Sequence, residues 1–417
     1  MIFKEETKSV PITKQMVWEA YKKVKSNGGS AGVDHQSLSD FDKVRSKELY
    51  KIWNRLASGS YLAPRIKRVT IPKGKGKTRP LGIPTVGDRV AQQVVKTYLE
   101  PRLETVFVDN SYGYRPDKNA HSAVKKVQEN VLIYPWVIDL DIKEFFESVS
   151  HELLMKALQK HVPEKWVLMY IKRWLESPVQ LEDGTIKSQA GKGTPQGGVI
   201  SPLLANLYLH YCVDKWLEKN YPGVKMVRYA DDLIIHCESF KEASQLLSAL
   251  ETRLSECGLT AHPEKTKIVY CKKDKRKLTG YPVQFDFLGF SFLPIRKKLK
   301  VGGSFLQFDC KMSRKSKVRI TQELKQSGFH NWSQCSIQDI ANLLNPKIRG
   351  WIQYYGKISR QSLQPVFYYL HQRTIRWILN KYKSFKGSKV KAIAWLRAIG
   401  QSYPHLFYHW SLGYKLF

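Results

Sequence analysis

The sequence predicts an α+β fold in which strands and helices interleave up to about residue 295, followed by a helical, strongly basic final third. Two apolar segments, WVIDLD (136–141) and KMVRYADD (225–232), read as strands that run into isolated carboxylates. Helical patterns lie between and around them, which gives a mixed sheet-and-helix core. The chain has neither a GxGxxG phosphate loop nor a Walker lysine motif, so the strand-end acids do not belong to a dinucleotide-binding sheet.

The elements follow in order. Residues 14–57 predict two helices, KQMVWEAYKKVKS and LSDFDKVRSKELYKIWNRLASG, parted by the glycine-rich loop NGGSAGVDH. RIKRVTIPKGKGKTRPLGIP predicts a β-hairpin around the turn GKGK. The helix DRVAQQVVKTYLEPRLETVF comes next, and the polar turn NSYGYRPDKNA opens another helix. WVIDLDIKEFFESV starts as a strand and ends in a polar turn, helices follow through Leu175, and a short hairpin lies near LEDGTIKSQAGKGTPQGG. SPLLANLYLHYCVDKWLEKN predicts a helix, KMVRYADDLIIHCES a strand pair with two acids at its bend, and FKEASQLLSALETRLSECG a helix. LTAHPEKTKIVYCKK and VQFDFLGFSFLPI read as strands, and the chain from about Ser313 as largely helical.

Composition narrows the partners. The chain holds 69 Lys and Arg against 36 Asp and Glu, a net charge of +33. A compact fold with that excess repels itself until a polyanion neutralises it, which points to nucleic acid. Of the charge, 23 basic and 3 acidic residues fall within 295–417, so about +20 sits in the last third. A basic membrane-surface protein would instead need a long amphipathic helix with lysines clustered on one face. No apolar run approaches the roughly 20 residues that cross a bilayer, and the start, MIFKEETKSV, has no signal-peptide core, which together predict a cytoplasmic protein without a membrane partner. Six scattered cysteines without a CxxC pair predict reduced, mostly buried thiols rather than zinc or disulfides.

Asp231 and Asp232 are adjacent carboxylates in an otherwise apolar strand pair, an arrangement that repels and desolvates badly without a cation. A solvated hairpin turn is the plainer reading, against which stands the apolar continuation on both sides. Asp139 and Asp141, two residues apart on a strand, point to the same face and compete as a further ligand. Strand-end carboxylates of this kind suit hard divalent ions such as Mg²⁺, two of which about 3.5–4 Å apart serve nucleotidyl transfer.

The motifs SYGYRP, IDLDIKEFF, GTPQGGVISPLLANLYLH, YADD, GLTAHPEKTK and FLGF, spread over roughly residues 20–290, resemble those of reverse transcriptases encoded by group II introns. The resemblance implies a right-hand polymerase with fingers and palm followed by a helical thumb and maturase domain. It implies three catalytic, metal-holding residues, Asp141, Asp231 and Asp232, with two Mg²⁺ ions, and so favours Asp141 over Asp139. Phe145 or Phe146 would be the aromatic wall that rejects a ribose 2′-hydroxyl, and Gln196 would line the dNTP pocket. Lys73 and Arg79 on the basic hairpin would grip the triphosphate, and Lys265, in competition with Lys267, would face the leaving pyrophosphate. Tyr112 and Arg115 would shape the fingers and touch template, although packing alone explains both equally well.

LNPKIRGWIQYYG and LHQRTIRWILNKYK resemble the maturase module, with Lys347, Arg349, Arg373 and Arg376 as expected RNA contacts and at least half of the nearby aromatics as core. The implied division is 1–60 for an N-terminal extension and the start of the fingers, 61–295 for fingers and palm, and 296–417 for the thumb and maturase domain. The implied partners are group II intron RNA, an RNA template with a DNA or RNA primer, dNTPs and target DNA. The chain has no paired-cysteine HNH cluster after this module, so it resembles the compact bacterial types that lack an endonuclease. The implied function is RNA-directed DNA synthesis with assistance to splicing and retrohoming. A related enzyme recruited for host repair or phage defence is the alternative, and a non-catalytic RNA-folding protein is disfavoured by the intact YADD and GTPQGG.

Overall fold

The computed structural model describes residues 10–74, 77–189, 191–271, 280–299 and 302–414. Two compact units emerge, one of residues 1–119 with 138–267 and the other of 120–137 with 268–417.

The first unit opens with α1 (Lys14–Asn27), whose Thr13 cap accepts a hydrogen bond from the Met16 amide at 3.2 Å. Val17, Ala20, Tyr21 and Val24, spaced at helical period, form its buried stripe. The single helix expected over 38–59 is two, α2 (Leu38–Lys43) and α3 (Arg45–Ala57), because Val44 leaves helical geometry at φ −119° between them. The basic hairpin is β1 (Ile66–Gly74) and β2 (Lys77–Ile83), antiparallel from Lys67 opposite Ile83 to Gly74 opposite Lys77. The tip at 75–76 and the Lys73 side chain lie outside the described parts.

The helix α4 (Val86–Glu104) is capped by Thr85 and packs on α1 and α3. After α5 (Ala120–Val131), which belongs to the other unit, β3 (Trp136–Asp141) runs into the short helix α6 (Phe145–Ser148) through Glu144 at a left-handed φ of +46°. Helices α7 (His151–His161) and α8 (Lys165–Leu175) come next. β4 (Val179–Gln180) and β5 (Ile186–Lys187) then extend the first sheet in the order β2-β1-β4-β5.

The expected helix from Ser201 is α9 (Ser201–Leu209), a π turn at His210–Asp214, and α10 (Lys215–Asn220). The antiparallel pair β6 (Lys225–Tyr229) and β7 (Asp232–Cys237) lies beside β3 in the order β6-β7-β3. The helix α11 (Phe240–Glu256) carries the buried stripe Ala243, Leu246, Leu250 and Leu254. β8 (Lys267–Tyr270) then crosses from this unit into the second.

In the second unit β9 (Phe285–Phe287), β10 (Phe290–Lys298) and β11 (Ser304–Met312) form an antiparallel sheet in the order β11-β10-β9. Residues 296–312, to which the sequence reading assigns no element, thus prolong one strand and supply another, with Phe308, Cys310 and Met312 alternating inward. The remainder is helical, as expected: α12 (Arg314–Gln326), α13 (Ile337–Trp351), α14 (Lys357–Ser359), α15 (Gln364–Lys381), α16 (Lys389–Ser402) and α17 (Tyr408–Ser411). Tyr355 and Trp377 are buried, while Trp351, Tyr354 and Trp395 are partly exposed. All six cysteines are free thiols, five of them buried. Among the described residues no helix is long and apolar enough to cross a membrane.

Candidate active site

β6 and β7 meet in a two-residue turn, with Tyr229 opposite Asp232 and only Ala230 and Asp231 between. Ala230 takes a left-handed φ of +55°, a conformation that costs a side-chain-bearing residue on the order of 1 kcal/mol and is held by its surroundings. Those surroundings are close. Gly113 of the SYGYRP turn backs onto the hairpin so tightly that an added Cβ would stand 2.3 Å from the Ala230 nitrogen. Arg228, fully buried, donates to the Ala230 carbonyl at 3.1 Å and to Asn206 Oδ1 at 3.0 Å. Its other edge forks onto the equally buried Asp214 at 2.8 and 2.5 Å. Burial would raise the Asp214 carboxyl, but the Arg228 guanidinium and His210 outweigh it and hold the group below its usual range.

Asp141 ends β3, the strand next to β7. Ile138 and Leu140 face inward, whereas Asp139 and Asp141 share the opposite, half-exposed face. The backbone at Asp141–Lys143 pairs with Thr260–His262: His262 N donates to the Asp141 carbonyl at 2.7 Å and Lys143 N to the Thr260 carbonyl at 2.8 Å. That pairing brings the HPEKTK turn over the strand end, where Lys265 Nζ lies 2.7 Å from Asp141 Oδ2. Lys267 lies 3.7 Å from Asp139 instead, so the two competing lysines take the two competing carboxylates.

The donors at these strand ends are hard oxygens, which fit Mg²⁺ chemistry. They are not a preformed cage. Among the described residues no three His, Cys, Asp or Glu side chains converge closely enough to hold a metal ion, and an ammonium already sits on Asp141.

The GTPQGG loop is fastened from several directions. Thr194 N donates to the Phe146 carbonyl at 2.7 Å, Gly193 N to the Val149 carbonyl at 2.8 Å, and Gly82 N of β2 to the Gln196 carbonyl at 2.7 Å. A Cβ on Gly197 would stand 2.4 Å from the Gly82 oxygen, which explains glycine there. Gln196 is half-buried, with its amide nitrogen 3.4 Å from both oxygens of Glu147. Phe145 is 2 % exposed and Phe146 partly open, their rings packed edge to face at 5.4 Å.

The DIKEFF, GTPQGG, YADD and HPEKTK motifs, together with the fingers hairpin, thus gather in one unit. The residues from 71 to 292 match the family of reverse transcriptases, described as RNA-dependent DNA polymerases. The chain belongs to that family. Residues 317–395 match the maturase-specific domain of group II introns. An RNA-dependent polymerase domain beside an intron maturase domain makes RNA the polymer this reverse transcriptase handles, and enzymes of the family are generally Mg²⁺-dependent.

Among curated relatives, protein YkfC of Escherichia coli is 30 % identical over 307 residues, covering 65 % of this chain and 77 % of that one. The group II intron-encoded protein LtrA of Lactococcus lactis is 31 % identical over 261 residues, 62 % and 41 % of the two chains. An uncharacterized 91 kDa protein in the cob intron of Schizosaccharomyces pombe is 25 % identical over 92 % of this chain and 54 % of its own. This reverse transcriptase therefore spans about half or less of the length of the latter two. A solved telomerase from Candida albicans aligns with a TM-score of 0.47 and 12 % identity over 90 % of this chain and 68 % of that one.

Other expected residues fall as follows. Arg79 is exposed on β2 and is near enough to Tyr114 to act on its phenol. Lys347, Arg349 and Arg376 are exposed, Lys347 paired with Glu323 at 2.7 Å and Arg349 lying 5.1 Å from the Tyr408 ring centre. Two expected RNA contacts need correction. The Arg115 guanidinium is enclosed by Glu104 at 2.5 Å and by the carbonyls of Val108 and Ser111, and Tyr112 is buried beside it, so both residues build the turn from within. Arg373 is buried against His330 at 2.6 Å.

Tyr114 and Glu147 are residues the sequence reading passes over. The Tyr114 phenol is held above its ordinary range, by partial burial first and by the nearby Asp231 carboxylate second. Its position in SYGYRP, one residue past the glycine that touches Ala230, was the available signal; for Glu147, it was the place directly after the paired phenylalanines.

Proposed function

We propose that this chain copies RNA into cDNA and, through its maturase domain, binds a group II intron RNA to assist splicing and mobility, acting in the cytoplasm on a primed RNA template, dNTPs and a DNA target. The observation that carries the reading is the meeting of Asp141, the YADD hairpin and the GTPQGG loop in one unit that matches a reverse transcriptase over its active region.

Asp141, Asp231 and Asp232 would hold two Mg²⁺ ions, which when bound lower the pKa of the attacking primer hydroxyl and offset charge on the leaving pyrophosphate. Lys265, resting on Asp141 at 2.7 Å, would hold an oxygen of the leaving pyrophosphate. Gln196, aligned by Glu147, lines the nucleotide pocket, with Lys73 and Arg79 on the hairpin as triphosphate contacts. Phe146, the less buried of the two phenylalanines, is the wall against a 2′-hydroxyl, and Phe145 is core. Lys347, Arg349 and Arg376 serve RNA phosphates.

The test is primer extension on an RNA template with Mg²⁺. The Asp231→Ala variant is expected to lose synthesis by at least about 10³-fold, the scale of several kcal/mol of lost transition-state stabilisation. RNA binding should stay nearly intact. Synthesis that survives the change would overturn the assignment.

A further inference from the structure

The loop that carries Gln196 is held from behind by a chain of buried side chains outside every motif used so far. Gln92 on α4 is 2 % exposed, and its Oε1 accepts from the amides of Val199 at 2.8 Å and Ile200 at 3.3 Å. Its Nε2 donates to Asp88 Oδ2 at 2.9 Å, one helical turn earlier. Asp88, 1 % exposed, accepts on Oδ1 from the Trp174 indole at 2.8 Å and the Tyr61 hydroxyl at 2.9 Å.

The polarity of this chain is forced. Backbone amides and an indole can only donate, so the Gln92 oxygen must face the loop and its nitrogen must face Asp88. The Asp88 oxygen there must accept. A carboxylate satisfies every one of these demands, whereas a side chain with a donor at that place would turn the Gln92 amide round and set its nitrogen against two N–H groups. The loop also leaves no slack. Gly198 comes so near that a Cβ would stand 3.3 Å from Gln92 Oε1 and 2.5 Å from Ser201 Oγ, while Gly82 grips the Gln196 carbonyl from the opposite side.

We propose that Gln92, oriented by Asp88, is a positioning residue that sets the nucleotide-pocket loop at 194–199 and thereby the affinity for the incoming dNTP. This rests on the reading of Gln196 as a dNTP-pocket residue. A purely structural link between α4 and α8 would need only Asp88, Tyr61 and Trp174; the branch to Val199 and Ile200 reaches the loop itself.

The experiment uses the full chain in single-nucleotide extension of a primed RNA, with KM for dNTP, kcat, template–primer Kd and melting temperature measured together. Gln92→Leu and Asp88→Asn should each raise KM for dNTP about tenfold, the equivalent of one lost or reversed buried hydrogen bond, with Kd for template–primer unchanged. Leu158→Ala, in the core of α7, should lower the melting temperature without that KM change. The swap Asp88→Asn with Gln92→Glu is the rescue: Asn donates to the new carboxylate, which accepts from it and from the loop amides, so KM should return toward the parent value. Where Gln92→Leu does not fold, Asp88→Asn against the swap gives the same comparison. Single variants that behave like Leu158→Ala, or a swap that rescues nothing, overturn the proposal. Gln196→Ala separates the two levels: an unchanged KM there overturns the pocket reading and the proposal together, whereas a raised KM beside unaffected Gln92 variants overturns the proposal alone.

Discussion

The YADD hairpin and the GTPQGG loop are both held by buried polar groups, but on opposite electrostatic terms. Behind the hairpin, Asp214 is matched by Arg228 in a two-pronged ion pair with both side chains fully enclosed. Behind the loop, Asp88 has hydrogen-bond donors and, among the described residues, no countercharge: burial pushes its carboxyl up to about 6, against the opposing hydrogen bonds of Trp174, Tyr61 and Gln92. The paired charge makes a stiff platform of the hairpin that carries Asp231 and Asp232. The unpaired one makes the loop's support sensitive to protonation, and it carries a standing cost in stability at neutral pH.

The largest expected effect breaks the matched pair. Arg228→Met leaves Asp214 as an uncompensated buried charge and frees the Ala230 carbonyl and Asn206, so denaturant unfolding should show a loss of about 3–5 kcal/mol. Replacing both partners, Arg228→Met with Asp214→Leu, should cost clearly less, because no buried charge remains. A single variant as stable as the parent would mean that the hairpin does not depend on this pair.

The second effect separates the supports by pH. Asp88 has its folded pKa raised from 3.8 to about 6, so its contribution is fully present below about 4 and is lost as pH rises through 6. The loss amounts to about 3 kcal/mol at 1.36 kcal/mol per unit. Asp88→Asn lacks this term, so its stability relative to the parent should improve between pH 4 and pH 7. Asp214 has a lowered pKa and works in the other direction, with stability present above the ordinary carboxylate range and lost as pH falls through its folded value. Between pH 4 and pH 7 the stability of Asp88→Asn relative to the parent should therefore shift, whereas that of an Asp214→Asn variant should stay flat there and shift only below the ordinary carboxylate range. Parallel curves would end the contrast.

The smallest effect on stability is that of Phe146→Val at the seam between loop and strand end, where the Phe146 carbonyl anchors Thr194. Phe146→Val keeps that backbone bond and removes the ring, so ribonucleotide discrimination should fall by about 10–200-fold with stability nearly kept, the range by which one pocket wall separates similar substrates. Phe145→Ala should instead cost about 3–5 kcal/mol of stability, as a buried aromatic does. If the two substitutions exchange these outcomes, Phe145 is the wall.

Much of this molecule was legible in its residues, because the signals were local. Apolar strands bounded by Asp141 and Asp232, glycines around Gln196 and the periodicity of the long helices are patterns of neighbours, and the structure has those strands and helices. From about Ser313 the basic C-terminal region read correctly as helical. Where the reading failed, the deciding contact was distant in sequence. Arg373 read as an RNA contact and Arg115 as template contact or packing equally, and only Glu104 and His330 folding over them show both enclosed. β11 escaped because its partner strand β10 is what satisfies its backbone.

The sequence by itself determined the chemistry on offer: acids at strand ends, a glycine-bounded loop, and a charge that demands a polyanion. The tertiary structure alone decided how they are held. Arg228 finds Asp214 across 14 residues, and Gln92 reaches Val199 across 107. A buried polar group must find a partner wherever the fold brings one, and periodicity along the chain carries no record of that choice.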